Sequence, residues 1–96
     1  MNQLHEDKSD LKPETLDKKR ALESLIEELE AVDWYMQRAD ATQNQQLKAI
    51  LIHNANEEKE HAAMLLEWLR RQDNDLSKEL KDYLFTKKPI SDIEHK

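Results

Sequence analysis

The sequence predicts an all-α fold: an antiparallel two-helix hairpin plus a short C-terminal helix, forming half of a four-helix bundle that dimerisation completes. Three observations carry this. The 96 residues contain no Gly and only two Pro, Pro13 and Pro89, and sheets joined by tight turns ordinarily need Gly. Leu, Glu, Lys, Ala and Gln dominate, and all are strong helix formers. The large apolar residues recur at three- and four-residue spacings in two long stretches, the pattern of helices with one buried stripe.

Each element can be justified in turn. Residues 1–12 are polar and lack periodicity, which reads as a mobile N-terminal arm. Pro13 suits the first turn of a helix, where its missing N–H has no partner to lose. Leu22, Leu25, Ile26, Leu29, Val32 and Met36 then carry a helix over about 13–39. Asp40 to Asn44 form a turn, and Asn44 can cap the next helix, over about 44–72. A break at Asp73-Asn74-Asp75 precedes a third helix, over about 75–85, with Leu76, Leu80, Tyr83 and Leu84. Lys87 to Lys96 make a polar tail interrupted by Pro89. The helical unit is thus 13–86, with the arm before it and the tail (87–96) after it. No internal repeat is present.

Composition limits the function classes. Apolar and charged residues each make up 38%, against roughly 45–50% and 25% in ordinary domains. A hairpin with so thin a core is expected to bury its remaining flanks against another copy. Cys is absent, which excludes disulfides and thiolate metal sites. No apolar run approaches the roughly 20 residues of a membrane span, and no signal peptide is visible, so a cytoplasmic protein without a membrane partner is expected. A net charge of −6 argues against nucleic acid and suits cations.

The chemistry lies in the second helix. With Leu47 at zero on a helical wheel, Leu51, Leu65, Leu69, Ile50 and Trp68 form one apolar stripe, and Glu58, His61 and Asn54 fall at about 20°, 320° and 340°, along its midline. Buried carboxylates must be protonated, paired or metal-bound. Glu58-x-x-His61 places both side chains on one face, as in ferritin-like di-iron sites, which take a Glu from each of two helices and a Glu-x-x-His from each of two others. On the first helix, with Leu22 at zero, Glu28 lies at about 240°, on the flank of a stripe centred near 320°. Glu27 and Glu30 point further away. One chain then holds half a site, and a two-fold dimer supplies four carboxylates and two imidazoles, enough to balance two Fe²⁺. Glu-x-x-His alone is a weak motif, and a hydrogen-bonded Glu–His pair at a subunit interface is the alternative. Met64, Leu65 and Trp68 read as core. Trp34 lies off the stripe and reads as a contact with another subunit. Tyr35, on the face of Glu28, fits either a group beside the centre or simple packing. Glu27 and Glu30, and the group His53, Glu57 and Glu60 on a second face of helix two, read as solvated flanks.

Three segments, "EELEAVDWY" (Glu27 to Tyr35), "HNANEEKEHAAMLLEWLRR" (His53 to Arg71) and "YLFTKKPISDIE" (Tyr83 to Glu94), resemble the encapsulated ferritins of bacteria and archaea. The resemblance runs from about Ala21 to Glu94, and its first two motifs are long and specific. It implies a ferroxidase that oxidises Fe²⁺ to Fe³⁺ with O₂ at a di-iron centre, two irons per dimer. It further implies a decamer ring of five dimers, housed as cargo inside an encapsulin shell that stores the mineral. Glu28, Glu58 and His61 match the family's iron ligands, and Tyr35 a tyrosine beside them. Glu27, Glu30 and Trp34 match a site where metal enters on the dimer surface. His53, Glu57 and Glu60 match a further cation site, suited to Ca²⁺ or another divalent ion. The apolar, Gly-containing targeting peptide usual at the family's C-terminus has no counterpart after Pro89. The rival readings are a rubrerythrin-like peroxidase with the same ligands and a non-catalytic helical adaptor with a structural metal.

Overall fold

The computed structural model describes residues 4–94. Helix α1 spans Pro13–Ala41, α2 spans Gln45–Gln72 and α3 spans Asn74–Tyr83, with short 3₁₀ turns at Lys8–Asp10 and Ile90–Asp92. No strand occurs among the described residues, so the fold is all-helical. Pro13 is the first residue of α1. The connection between the long helices is shorter than the sequence suggests, because Asp40 and Ala41 still belong to α1. Thr42 Oγ1 accepts the Asn44 N–H at 3.2 Å, and Asn44 Oδ1 accepts the Leu47 N–H at 2.9 Å. A cap of this kind contributes about 1 kcal/mol.

The break after α2 is likewise tighter than expected. It consists of Asp73 alone, whose extended backbone ends α2 while its Oδ1 accepts the Leu76 N–H at 3.0 Å and starts α3. Helix α3 stops at Tyr83 rather than near residue 85, because the Leu84 backbone turns extended and Phe85 follows in a left-handed conformation with φ 60°. Glycine normally occupies that position after a helix, and this chain has none. The tail after Pro89 is not uniformly exposed, since Ile93 is buried.

The main revision concerns which faces pack. The buried residues of the two long helices are Ala21 and Ala39 on α1, and Ala55, Ala62 and Leu69 on α2. On the wheels used above, these centre near 260° on α1 and near 60° on α2, each rotated by about 60° from the stripe of large side chains. Small residues let the helix axes approach closely. The bulky residues then flank the seam: Leu22, Leu29, Met36, Leu47, Ile50, Met64 and Trp68 are all exposed in the single chain. Met64 and Trp68, expected in the core, therefore lack a covering layer, and Leu65 is only half-buried. A radius of gyration of 17.3 Å exceeds the roughly 12.5 Å of a compact domain of this length. The chain has the proportions of half a bundle.

Helix α3 is tied to α2 by a clamp that the sequence reading overlooked. Arg70 gives two hydrogen bonds to the Glu67 carboxylate, 2.7 and 2.8 Å, and a third to Ser77 Oγ on α3 at 2.9 Å. Arg71 adds another to Glu67 at 2.7 Å. These bonds, that from Arg70 foremost, hold the Glu67 carboxyl at about 2, below its ordinary value of 4.5. A lowered carboxylate pKa stabilises the fold above the ordinary range and loses that contribution as pH falls through the lowered value. Carbon NMR titration of the Glu67 carboxyl should therefore show the clamp intact where other carboxylates are already protonated, with release only as pH falls through about 2. Glu67→Gln should speed amide exchange along α3 at neutral pH, while leaving the α1–α2 seam protected. Unchanged exchange in α3 would show that apolar packing alone fixes it.

Candidate metal centre

The alanine-lined seam decides where the polar side chains stand. Glu28 follows the buried Ala21 by two helical turns, so it sits on the seam itself rather than on a flank. Glu58 lies between the buried Ala55 and Ala62 along α2, turned slightly outward, and His61 lies one step further out. The structure brings all three together. His61 Nδ1 is 3.5 Å from Glu28 Oε2 and 3.6 Å from Glu58 Oε2, and one ligand atom from each of the three side chains lies within 4.8 Å of the other two. Among the described residues this is the only group of three or more such ligands drawn together.

Its electrostatics are unresolved within the single chain. The Glu28 and Glu58 side chains are 25% and 24% exposed, and that of His61 is 43% exposed. Contacts of 3.5 and 3.6 Å are too long to be good hydrogen bonds. Glu28 Oε2 is buried and has no hydrogen-bond partner, a state that costs about 1–3 kcal/mol for a polar group and more for a charged one. Donor atoms about 2.1 Å from a common ion would lie roughly 3–3.5 Å apart, so an ion needs only a small contraction of this cluster. Two carboxylates with a neutral imidazole balance one divalent ion. All-oxygen-and-nitrogen ligation suits iron, manganese or zinc, and the three ligands leave further positions open.

The remaining candidates are placed as follows. Tyr35 is half-buried on α1, two turns beyond Glu28, with the Arg38 guanidinium 5.7 Å from its ring centre. Glu27, Glu30 and Trp34 are all exposed, and Trp34 borders a shallow groove with Gln37 and Arg38. His53 Nε2 lies 3.5 Å from Glu57 Oε1 on the exposed side of α2. Glu60 is exposed beside Met64 and Trp68 and does not join them in a three-ligand cluster. A groove of about 610 Å³ between α2 and α3 contains none of the three clustered ligands.

Fold and cluster define a class: a helical hairpin that presents two carboxylates and an imidazole, drawn from facing helices, at the margin of its packed seam. The chain belongs to the EncFtn-like family, which matches residues 3–87. It is 57% identical over 93 residues to the encapsulated ferritin-like protein of Rhodospirillum rubrum, an alignment covering 97% of this chain and 66% of that protein. It is 53% identical over 93 residues to a ferritin-like protein of Thermotoga maritima, covering 97% of this chain and 82% of that one. The crystal structure of protein ne0167 from Nitrosomonas europaea superposes with a TM-score of 0.90 at 60% identity, over 94% of this chain and 99% of that one.

The orphaned oxygen yields a prediction. In metal-free protein, Glu28→Leu removes an unpaired carboxylate from the seam and should raise stability by about 1–2 kcal/mol, read as the thermal unfolding midpoint in chelator. The same substitution should remove binding of divalent metal. A less stable variant would show that Glu28 finds a partner in the metal-free protein.

Proposed function

We propose that this chain is a ferroxidase subunit: two copies join face to face, and Fe²⁺ is oxidised with O₂ at a di-iron centre formed between them. The observation that carries this reading is the half-complete cluster of Glu28, Glu58 and His61. Its buried side is closed by the alanine seam, and the same face of α2 carries Leu47 and Trp68 further along the helix, apolar residues without cover. A second copy on that side supplies the other half of the ligands and covers the apolar residues at once. Four carboxylates and two imidazoles then match the set found in four-helix di-iron proteins.

Iron is the substrate here, and the chain's own residues have definable tasks. Acidic side chains on the outer surface raise the local concentration of Fe²⁺. Glu27, Glu30 and Trp34, exposed along α1, are the residues proposed for that uptake. Glu58, turned outward from the seam, is proposed to bridge the two ions, with Glu28 and His61 completing each set. Each Fe²⁺ gives up one electron, so two adjacent ions deliver a pair to O₂. Tyr35 stands beside this route. His53, Glu57 and Glu60 are proposed as a secondary site for Ca²⁺ or another divalent cation, completed only by residues of a further subunit.

The relatives' names extend the reading to the cell. The Rhodospirillum rubrum relative is called encapsulated, and a Myxococcus xanthus protein 48% identical over 46 residues is called an encapsulin nanocompartment cargo protein. The proposed partner is accordingly an encapsulin shell in the cytoplasm, with the dimers closing as a decamer ring. No helix among the described residues is long and apolar enough to cross a membrane.

Stopped-flow measurement of Fe²⁺ oxidation tests the assignment. Glu58→Ala and His61→Ala should each lower the rate by at least about 100-fold, the upper range for groups that merely support ligands. Glu30→Ala and Trp34→Ala should slow iron arrival while leaving iron bound at the centre in anomalous scattering. Full activity in either of the first two variants would remove the centre from the mechanism.

A further inference from the structure

The three clustered side chains do not exhaust the polar groups on the packed faces. In an α-helix the Cα–Cβ bond tilts toward the N-terminus, so a long side chain at position i leans over the turn before it. The residue one turn before Glu28 is Ser24, and the residue one turn before Glu58 is Asn54. Both are half-buried, and neither side chain makes a hydrogen bond among the described residues. Elsewhere within one turn, Glu28 has only Leu25, Ala31 and Val32 for company, while Glu58 has Ala55, His61 and Ala62. Since His61 belongs to the cluster, each carboxylate has one neutral donor within a turn on its own helix, at the same relative position.

We propose that Ser24 and Asn54 are positioning residues, which donate hydrogen bonds to the Glu28 and Glu58 carboxylates when these hold metal. The inference rests on reading Glu28, Glu58 and His61 as iron ligands. A carboxylate that gives lone pairs to an ion retains others, and inside a closed bundle these need a donor to fix which oxygen faces the metal. The Ser24 hydroxyl and the Asn54 amide supply donors without adding charge, whereas Lys or Arg would compete with the ion for the carboxylate. Residues at i and i+4 have Cβ atoms about 5–6 Å apart, within reach of these side chains. Ser24 also borders an open groove with Leu65 and Trp68, so it stands on the side of the hairpin that the second copy is proposed to cover. Serine and asparagine are weaker helix formers than alanine, so propensity does not account for their place in the middle of these helices.

The rival role for Asn54 is to set the register between two copies, as a lone buried Asn does in coiled coils. Anaerobic calorimetry with Fe²⁺, run beside light scattering, separates the two. Ser24→Ala and Asn54→Leu should each weaken Fe²⁺ binding by about 10-fold, with helix content unchanged and oligomer size unchanged at saturating Fe²⁺. Ser24→Thr and Asn54→Gln, which restore a donor, should recover most of the affinity. Wild-type affinity in Ser24→Ala and Asn54→Leu would overturn the proposal, as would an altered oligomer distribution at unchanged affinity. Glu58→Ala is the reference. If it binds Fe²⁺ as tightly as the wild type, the iron-site reading itself fails, whatever the Ser24 and Asn54 variants do.

Discussion

Two carboxylates and an imidazole crowd the margin of a narrow seam, and one carboxylate oxygen there is buried with nothing to bond. The rest of the architecture can be understood from this constraint. Alanines at positions 21, 39, 55 and 62 bring α1 and α2 close enough for Glu28 to meet His61 across the interface. The same close approach expels the large apolar side chains to the flanks, where a single chain cannot cover them. One requirement, that like charges be neutralised, and another, that Leu47, Ile50 and Trp68 on the same face of α2 be covered, point to the same partner surface. In the proposed dimer stability and chemistry are coupled, because metal bound across two chains would contribute directly to their association.

The third helix plays a different part. Its link to α2 includes a clamp of Glu67, Arg70 and Arg71 with Ser77, none of them among the clustered ligands. Surface ion pairs ordinarily add little stability. The clamp's ion pairs, bidentate and shared by two arginines, lie within α2 and hold the Arg70 guanidinium so that it can donate to Ser77 on α3.

Much of this was legible in the sequence, and what was missed has physical causes. Helix identity followed from propensity, from the absence of Gly and from the Asn44 cap. Glu58 and His61 were visible because polar residues interrupted an apolar stripe. The orientation of the seam was not legible, since a wheel weighted toward Leu, Ile and Met discounts alanine, and alanine is what packs here. The same bias placed Glu28 on a flank although it follows Ala21 by two turns. Met64 and Trp68 seemed to be core because periodicity does not distinguish a face buried in the chain from one left for a partner. The Glu67 clamp has a local signal, a Glu followed at three and four residues by Arg, that stripe analysis does not weigh. Ser24 carries its signal only relative to Glu28, one turn on, and so becomes noticeable only after Glu28 is assigned.

The central claim is that one chain holds half a site. Metal affinity must then depend on chain concentration, because binding and association are linked and the linkage is reciprocal. The direct measurement is a set of anaerobic Fe²⁺ binding isotherms at chain concentrations spanning dissociation of the dimer. The account predicts one tightly held Fe²⁺ per chain at high concentration, with apparent affinity falling steadily as the protein is diluted, and with circular dichroism unchanged. An affinity that stays constant on dilution into the monomeric range would contradict it, showing that Glu28, Glu58 and His61 of a single chain suffice to hold the ion.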